Sequence, residues 1–274
     1  KPIWITEIGW PTQADARGVS ESRQAEYIVR SHVVALASGV EKLFWYDFMN
    51  DGVNETYNEH NFGIVRNAED PKGKYAPKPA YVSYATMTRQ LTGKAFSHRE
   101  LIGEEIHSYL FEGAVGAARV VWSTEPKQAK IETDAPVKVT DLMGTEDTLY
   151  PLNGYVYLTL TESPVYIEGA IGSISEGSKF ALTGSLSATG APLAVSLAVD
   201  NSEPPRGRIQ AQLSVEGAVY DIDVMPHETA VLDFTVPGRD TPQTKTVTGY
   251  IVRNGNKVGK LRTEVEIANP VRLA

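Results

Sequence analysis

Apolar residues run almost without a break through Ile3, Trp4 and Ile5 and stop at Gly9 and Pro11. That is the pattern of a parallel strand covered on both faces and ended by a loop. From residue 20 to 38 the spacing changes to a helical one, with Ala25, Ile28, Val29, Val33 and Leu36 on one face. Ser20 or Ser22 is placed to cap its N-terminus, Glu21 lies near the positive helix end, and Gly39 stops it. A second strand-like run spans residues 42–48 and ends in polar Asn50-Asp51-Gly52. Strand, helix and strand in this order predict a right-handed parallel βαβ unit. An Asp/Asn/Gly-rich stretch over 49–76 predicts a long loop, of the kind that carries function in compact domains. Pro77-Lys78-Pro79 then opens a second helix, on which Tyr81, Tyr84, Thr88 and Leu91 share a face before Gly93.

After Ser97 the period falls to two. Short runs at 106–112, 118–123, 129–133, 137–142, 155–160 and 165–168 are rich in Val, Ile, Thr and aromatics, and turn residues separate them. They predict a β-sandwich over 97–169. A second series, at 180–185, 193–200, 208–215, 219–224, 229–234, 246–253 and 258–267, predicts an immunoglobulin-like sandwich over 170–274. The two series share no sequence repeat.

Glu7 is the candidate with chemistry to offer, because it sits where the first strand opens into a loop beside Trp10. Carboxylates at the C-terminal ends of parallel barrel strands do the chemistry of that architecture. The competing reading is a structural carboxylate held by an Arg or by backbone N–H groups. Composition narrows the rest. A formal net charge of -8 argues against nucleic acid or an anionic membrane as partner. No apolar run approaches the roughly 20 residues of a membrane span. With no cysteine there is no disulfide framework, thiolate zinc site or cysteine nucleophile. The histidines His32, His60, His98, His107 and His227 lack metal-ligand spacing, so neither metal nor cofactor is expected. His60 is kept as a substrate contact because it lies in the long loop. Asp221-Ile222-Asp223 reads as a solvated strand face.

Residues 5–12 (Ile-Thr-Glu-Ile-Gly-Trp-Pro-Thr), Phe44-Trp45-Tyr46-Asp47-Phe48 with Asn50-Asp51-Gly52, Asn61-Phe62-Gly63-Ile64-Val65 and Pro77-Lys78-Pro79-Ala80-Tyr81 together resemble the last quarter of a clan A retaining glycoside hydrolase. The resemblance covers roughly the first third of the chain. It implies that residues 1–96 are the last two βα units of a TIM-type α/β barrel, with all-β sandwiches following. It places the nucleophile on Glu7, at the end of the seventh barrel strand, and the aromatic floor of the sugar site on Trp45. The clan's general acid/base belongs to an Asn-Glu pair on the fourth strand, a segment expected before Lys1. Trp10, Asp47 and His60 are further candidate substrate contacts, Asp47 also being a remote candidate for a substitute acid.

The expected partners are an oligo- or polysaccharide with β-linkages and the remainder of the barrel. The expected setting is extracellular or at the cell surface. The other class of function is a non-catalytic carbohydrate-binding or spacer module, which predicts an exposed aromatic row with Tyr155, Tyr157 and Tyr166 as its material.

Overall fold

The computed structural model describes residues 1–205 and 207–270. The elements run β1 (Ile3–Ile8), α1 (Glu21–Ala37), β2 (Val40–Trp45), a 3-10 turn at Asn58–Asn61 and α2 (Pro79–Leu91). Only strands follow: β3 (Lys94–Ile102), β4 (Ile106–Gly113), β5 (Gly116–Ser123), β6 (Lys127–Glu132), β7 (Val137–Thr140), β8 (Glu146–Leu149), β9 (Tyr155–Leu160), β10 (Val165–Glu168), β11 (Ser173–Glu176), β12 (Phe180–Gly184), β13 (Ser187–Ala188), β14 (Leu193–Asp200), β15 (Ile209–Val215), β16 (Ala218–Val224), β17 (Thr229–Val236), β18 (Gln243–Arg253) and β19 (Asn256–Ala268). They form two compact units. One holds Lys1–Glu125, Lys138–Asp147 and Thr161–Glu168; the other holds Pro126–Val137, Thr148–Leu160 and 169–270. The chain therefore passes from one unit to the other at 125/126, 137/138, 147/148, 160/161 and 168/169.

In the first unit β1 and β2 form a two-stranded parallel sheet, joined by α1. Helix α1 starts where Ser20 Oγ accepts the Arg23 N–H at 3.1 Å, with Glu21 in the first turn. Gly39, at φ +79°, takes the left-handed turn beyond its end. Its buried Ala25, Ile28, Val29 and Val33 share a core with Ala80, Met87 and Leu91 of α2 and with Tyr109, Phe111, Val120, Trp122 and Tyr166 of the sheet ordered β3-β4-β5-β10-β7-β8. Polar ties accompany this packing. Ser83 Oγ donates to Ala25 O at 3.0 Å, and Gln90 Nε2 donates to Thr140 Oγ1 at 3.3 Å. The face of α2 differs from the expected one: Ala80, Ser83, Met87 and Gln90 are buried with Leu91, whereas Tyr81 is exposed. Small side chains let α2 approach α1 closely; Tyr81 is turned to solvent, while Tyr84 packs partly buried against the core. Burial of β1 on both faces is also corrected, since Trp4 and Phe44 remain about half exposed at 49% and 50%. Their ring centroids lie 6.4 Å apart, and the Lys42 ammonium stands 4.1 Å over the Trp4 ring.

His32 is buried in α1. Its Nδ1–H donates to Ile28 O at 2.6 Å, its Nε2 has no partner, and its ring lies 5.0 Å from that of Tyr84. Burial pushes its pKa below the ordinary 6.5, with the Ile28 bond pulling the other way. A depressed native value means that stability is intact above pH 6.5 and is lost as pH falls toward the native value, because the unfolded chain takes up the proton first. Acidification from pH 7 to 5 is thus expected to lower the melting temperature of the wild type more steeply than that of His32→Phe. Parallel slopes would show that His32 does not titrate on unfolding.

The second unit is built on one continuous sheet, ordered β11-β6-β9-β19-β18-β15-β16, with β13 paired to β19. A three-stranded sheet, β12-β14-β17, covers part of it. Alternate residues of both sheets, among them Phe180, Leu193, Leu197 and Phe234 against Leu213, Val247, Ile251 and Leu261, fill the space between. The strands at 129–133 and 155–160, expected in a separate first sandwich, are bonded into this sheet because β9 pairs in parallel with β19, Tyr157 opposite Gly259. Tyr157 and Tyr166 are buried core residues at 1% and 0% exposure, so the expected aromatic row is not on the surface. Among the described residues no helix is long and apolar enough to cross a membrane.

Candidate active site at the strand ends

Parallel pairing brings the C-terminal ends of β1 and β2 to the same edge. Ile5 lies opposite Leu43 and Ile8 opposite Trp45, with an irregularity between Ile5 and Ile8 where Glu7 sits. The Tyr46 N–H donates to Ile8 O at 2.8 Å and so extends the tie past β2. Gly9 makes this approach possible: a Cβ there would stand 1.9 Å from Tyr46 O and 3.1 Å from the Phe62 ring. Glu7 is exposed, and among the described residues nothing hydrogen-bonds or ion-pairs with its carboxylate. Among the described residues neither an Arg nor a backbone N–H holds it.

Trp10 stands beside it in sequence, its ring 5.0 Å from Tyr27 and 5.7 Å from Trp45. Trp45 packs partly against the core under α1, and its indole N–H is buried without a partner. Tyr46 takes a different course. Its hydroxyl donates to Glu59 Oε2 at 3.1 Å, Asn58 Nδ2 donates to the other Glu59 oxygen at 2.9 Å, and the ring meets Phe62 edge-on at 5.2 Å. The bond to Glu59 is the main reason that the Tyr46 hydroxyl is pushed up to about 12. The peptide between Tyr46 and Asp47 is cis.

Asp47 is half buried, and its Oδ1 has no hydrogen-bond partner. Burial, then the Asp51 charge, pushes its carboxyl up to about 6, while the Met49 N–H and Lys78 pull it down. His60 is held by its own loop. The Asn54 N–H donates to Nδ1 at 3.1 Å, which fixes the proton on Nε2, and the ring fills the space a Cβ on Gly52 would take, 2.4 Å away.

The residue that sequence reasoning missed is Lys78. It is buried, and its ammonium donates to Gly63 O at 2.6 Å, Asn61 O at 3.2 Å and Asn50 Oδ1 at 3.3 Å. Burial lowers its pKa to about 8. Gln24 does a similar task from α1, donating to Trp10 O at 2.9 Å and Phe62 O at 3.1 Å. Together they fasten the two loops that leave the strand ends. The only sign of Lys78 in the sequence is its place between two prolines. No group of three or more His, Cys, Asp or Glu is arranged to hold a metal among the described residues.

Among solved structures the chain is similar to a family 39 glycoside hydrolase from the gut symbiont Bacteroides cellulosilyticus WH2, at 28% identity and a TM-score of 0.51, over 62% of this chain and 34% of that one. A family 30 endoxylanase from Clostridium papyrosolvens C71 aligns at 10% identity and a TM-score of 0.41, over 62% of this chain and 42% of that one. The chain spans about a third of the length of the first of these relatives. No family model and no curated protein matches the sequence. The first of these is a glycoside hydrolase, the kind of enzyme that the four sequence motifs resemble.

Proposed function

We propose that this chain is part of a retaining glycosidase acting on a β-linked glycan, with Glu7 as nucleophile. The observation that carries this reading is an exposed, unpartnered Glu at the C-terminal end of a parallel strand. The Glu7 carboxylate attacks the anomeric carbon, and the glycosidic C–O bond breaks as the ester forms. A second carboxyl group, about 5 to 5.5 Å away in such enzymes, protonates the departing oxygen and then takes a proton from the water that hydrolyses the ester. That partner is assigned to the rest of the barrel. Trp45 and Trp10, already in contact, are assigned to the apolar side of the sugar cleft. Asp47 and the free Nε2–H of His60 are assigned to hydrogen bonds from the loop after β2. An extracellular or cell-surface setting goes with a polymeric substrate.

The 274 residues expressed alone are expected to leave aryl β-glycosides untouched, because general acid help is worth about 10²- to 10⁴-fold and a partial cleft does not orient the sugar. In the complete enzyme, a 2-deoxy-2-fluoroglycoside should accumulate as an ester on Glu7, located by peptide mass spectrometry. Label on another carboxylate refutes the assignment. Turnover by the 274 residues that vanishes in Glu7→Gln would put the second carboxyl within them, with Asp47 the group to test.

A further inference from the structure

The strand pair β1–β2 presents two faces. On one, Ile5 and Leu43 look toward α1 and line a groove of about 440 Å³ together with Tyr27, Arg30 and Val34. Arg30 is the one charged residue in that lining. The helix side that borders the groove is not the side that packs with α2: Ala25, Ile28, Val29 and Val33, which share the core with α2, lie about half a turn away. Val34 accordingly stays 42% exposed. Strand alternation puts Trp4 and Phe44 on the other face. There Lys42 stands opposite Trp4 in the register, with its ammonium over the Trp4 ring. Lys42 is exposed and has no carboxylate partner among the described residues. Strand β1 pairs with β2 alone, so among the described residues the backbone groups on its far edge are unbonded.

Groove, edge and lysine fit a single occupant. Free ladder N–H and C=O groups in a row are matched by another strand and not by a small ligand. A parallel pair is covered on both faces in stable folds, and two strands do not suffice alone. A parallel strand beside β1 arrives with a helix on the α1 side of the sheet, because such crossovers are right-handed. The apolar groove is where that helix fits. On the opposite face the incoming strand covers Lys42, and a buried ammonium destabilises the fold unless a carboxylate pairs with it. A second copy of this chain, joined across the same edge about a two-fold axis, brings another Lys42 to it, which is the wrong charge.

We infer that a further βα unit of the same protein pairs in parallel with the free edge of β1, sets its helix in the groove beside α1 and presents an Asp or Glu to Lys42. The choice of the same protein as its source rests on the proposed glycosidase function; the strand, the helix and the carboxylate do not. The test mixes the complete protein with an isotopically heavy copy and adds a water-soluble carbodiimide, which joins an ammonium to a carboxylate in contact with it. Peptide mass spectrometry then locates the amide. Lys42 should be joined to an Asp or Glu outside residues 1–274 and within the same isotopic copy. Because the 274 residues contain no cysteine, Val34→Cys adds a single thiol probe to them at the groove. In the folded complete protein that thiol should react with iodoacetamide about tenfold or more slowly than in urea, since access governs its rate. Lys42 left unjoined, or joined within residues 1–274 or to the other isotopic copy, overturns the inference. So does a thiol at position 34 that reacts as fast folded as unfolded. Failure of the catalytic reading would show instead as turnover retained by Glu7→Gln, with the Lys42 cross-link unchanged.

Discussion

Glu7→Gln in the complete enzyme is expected to cut glycoside turnover by on the order of 10⁴- to 10⁶-fold, the range seen when a member of a covalent catalytic unit is removed. The amide has the shape of the carboxylate but cannot form the glycosyl ester. No stability change should accompany it, since Glu7 is exposed and its side chain bonds to nothing among the described residues. Equal melting temperatures and a collapsed kcat are therefore the paired result to look for. Substantial hydrolysis by a natively folded Gln variant would return Glu7 to the ordinary surface.

Lys78→Met is expected to act in the opposite way, through stability first. Methionine matches the length of the buried stem but leaves Gly63 O, Asn61 O and Asn50 Oδ1 without their shared donor. Each orphaned buried acceptor costs about 1–3 kcal/mol, and relief of the desolvated ammonium offsets part of the sum, so the net loss should be about 2–4 kcal/mol. The pH dependence has a definite sign. Burial lowers the native value from 10.5 to about 8, so this lysine's titration favours the fold above pH 10.5, and that contribution is lost as pH falls through 8. Urea midpoints should fall in Lys78→Met, and the wild type alone should gain stability between pH 8 and 10. An unchanged midpoint would mean that water replaces the ammonium at no cost.

Local pattern made much of this architecture legible, and its failures have physical causes. The β1-α1-β2 order was readable because Ser20, Glu21 and Gly39 punctuate a helix whose apolar positions keep one face. Strand β3 escaped notice because Ser97, His98, Arg99 and Glu100 break its apolar pattern, and it lies half in solvent. Strand β8 has four residues, including Glu146 and Asp147, and β11 is equally short. The face of α2 was misread at Tyr81, which is exposed, because its bulk outweighed Ala80 and Ser83, whereas close helix approach favours the small pair; Tyr84 and Leu91 do pack on the core. The junction of β9 with β19 was beyond local reading altogether: alternation announces a strand, not its partner about a hundred residues later. That Glu7 stands near a strand end was visible through its neighbours. Lys78 was not, because lysine is ordinarily a surface residue and only three acceptors distant in sequence explain its burial.

The repeated passage of the chain between its units bears on how such a protein is inherited. A tail that followed the βα elements as a separate bead could be exchanged by a single recombination event in the gene. Here the second unit needs residues 126–137 and 148–160, which alternate with segments the first unit needs. Any crossover between 126 and 168 strands part of each. The βα elements and the sheets after them therefore travel through evolution as one indivisible block, and a graft that aims to move the C-terminal sandwich must carry the strand ends with it.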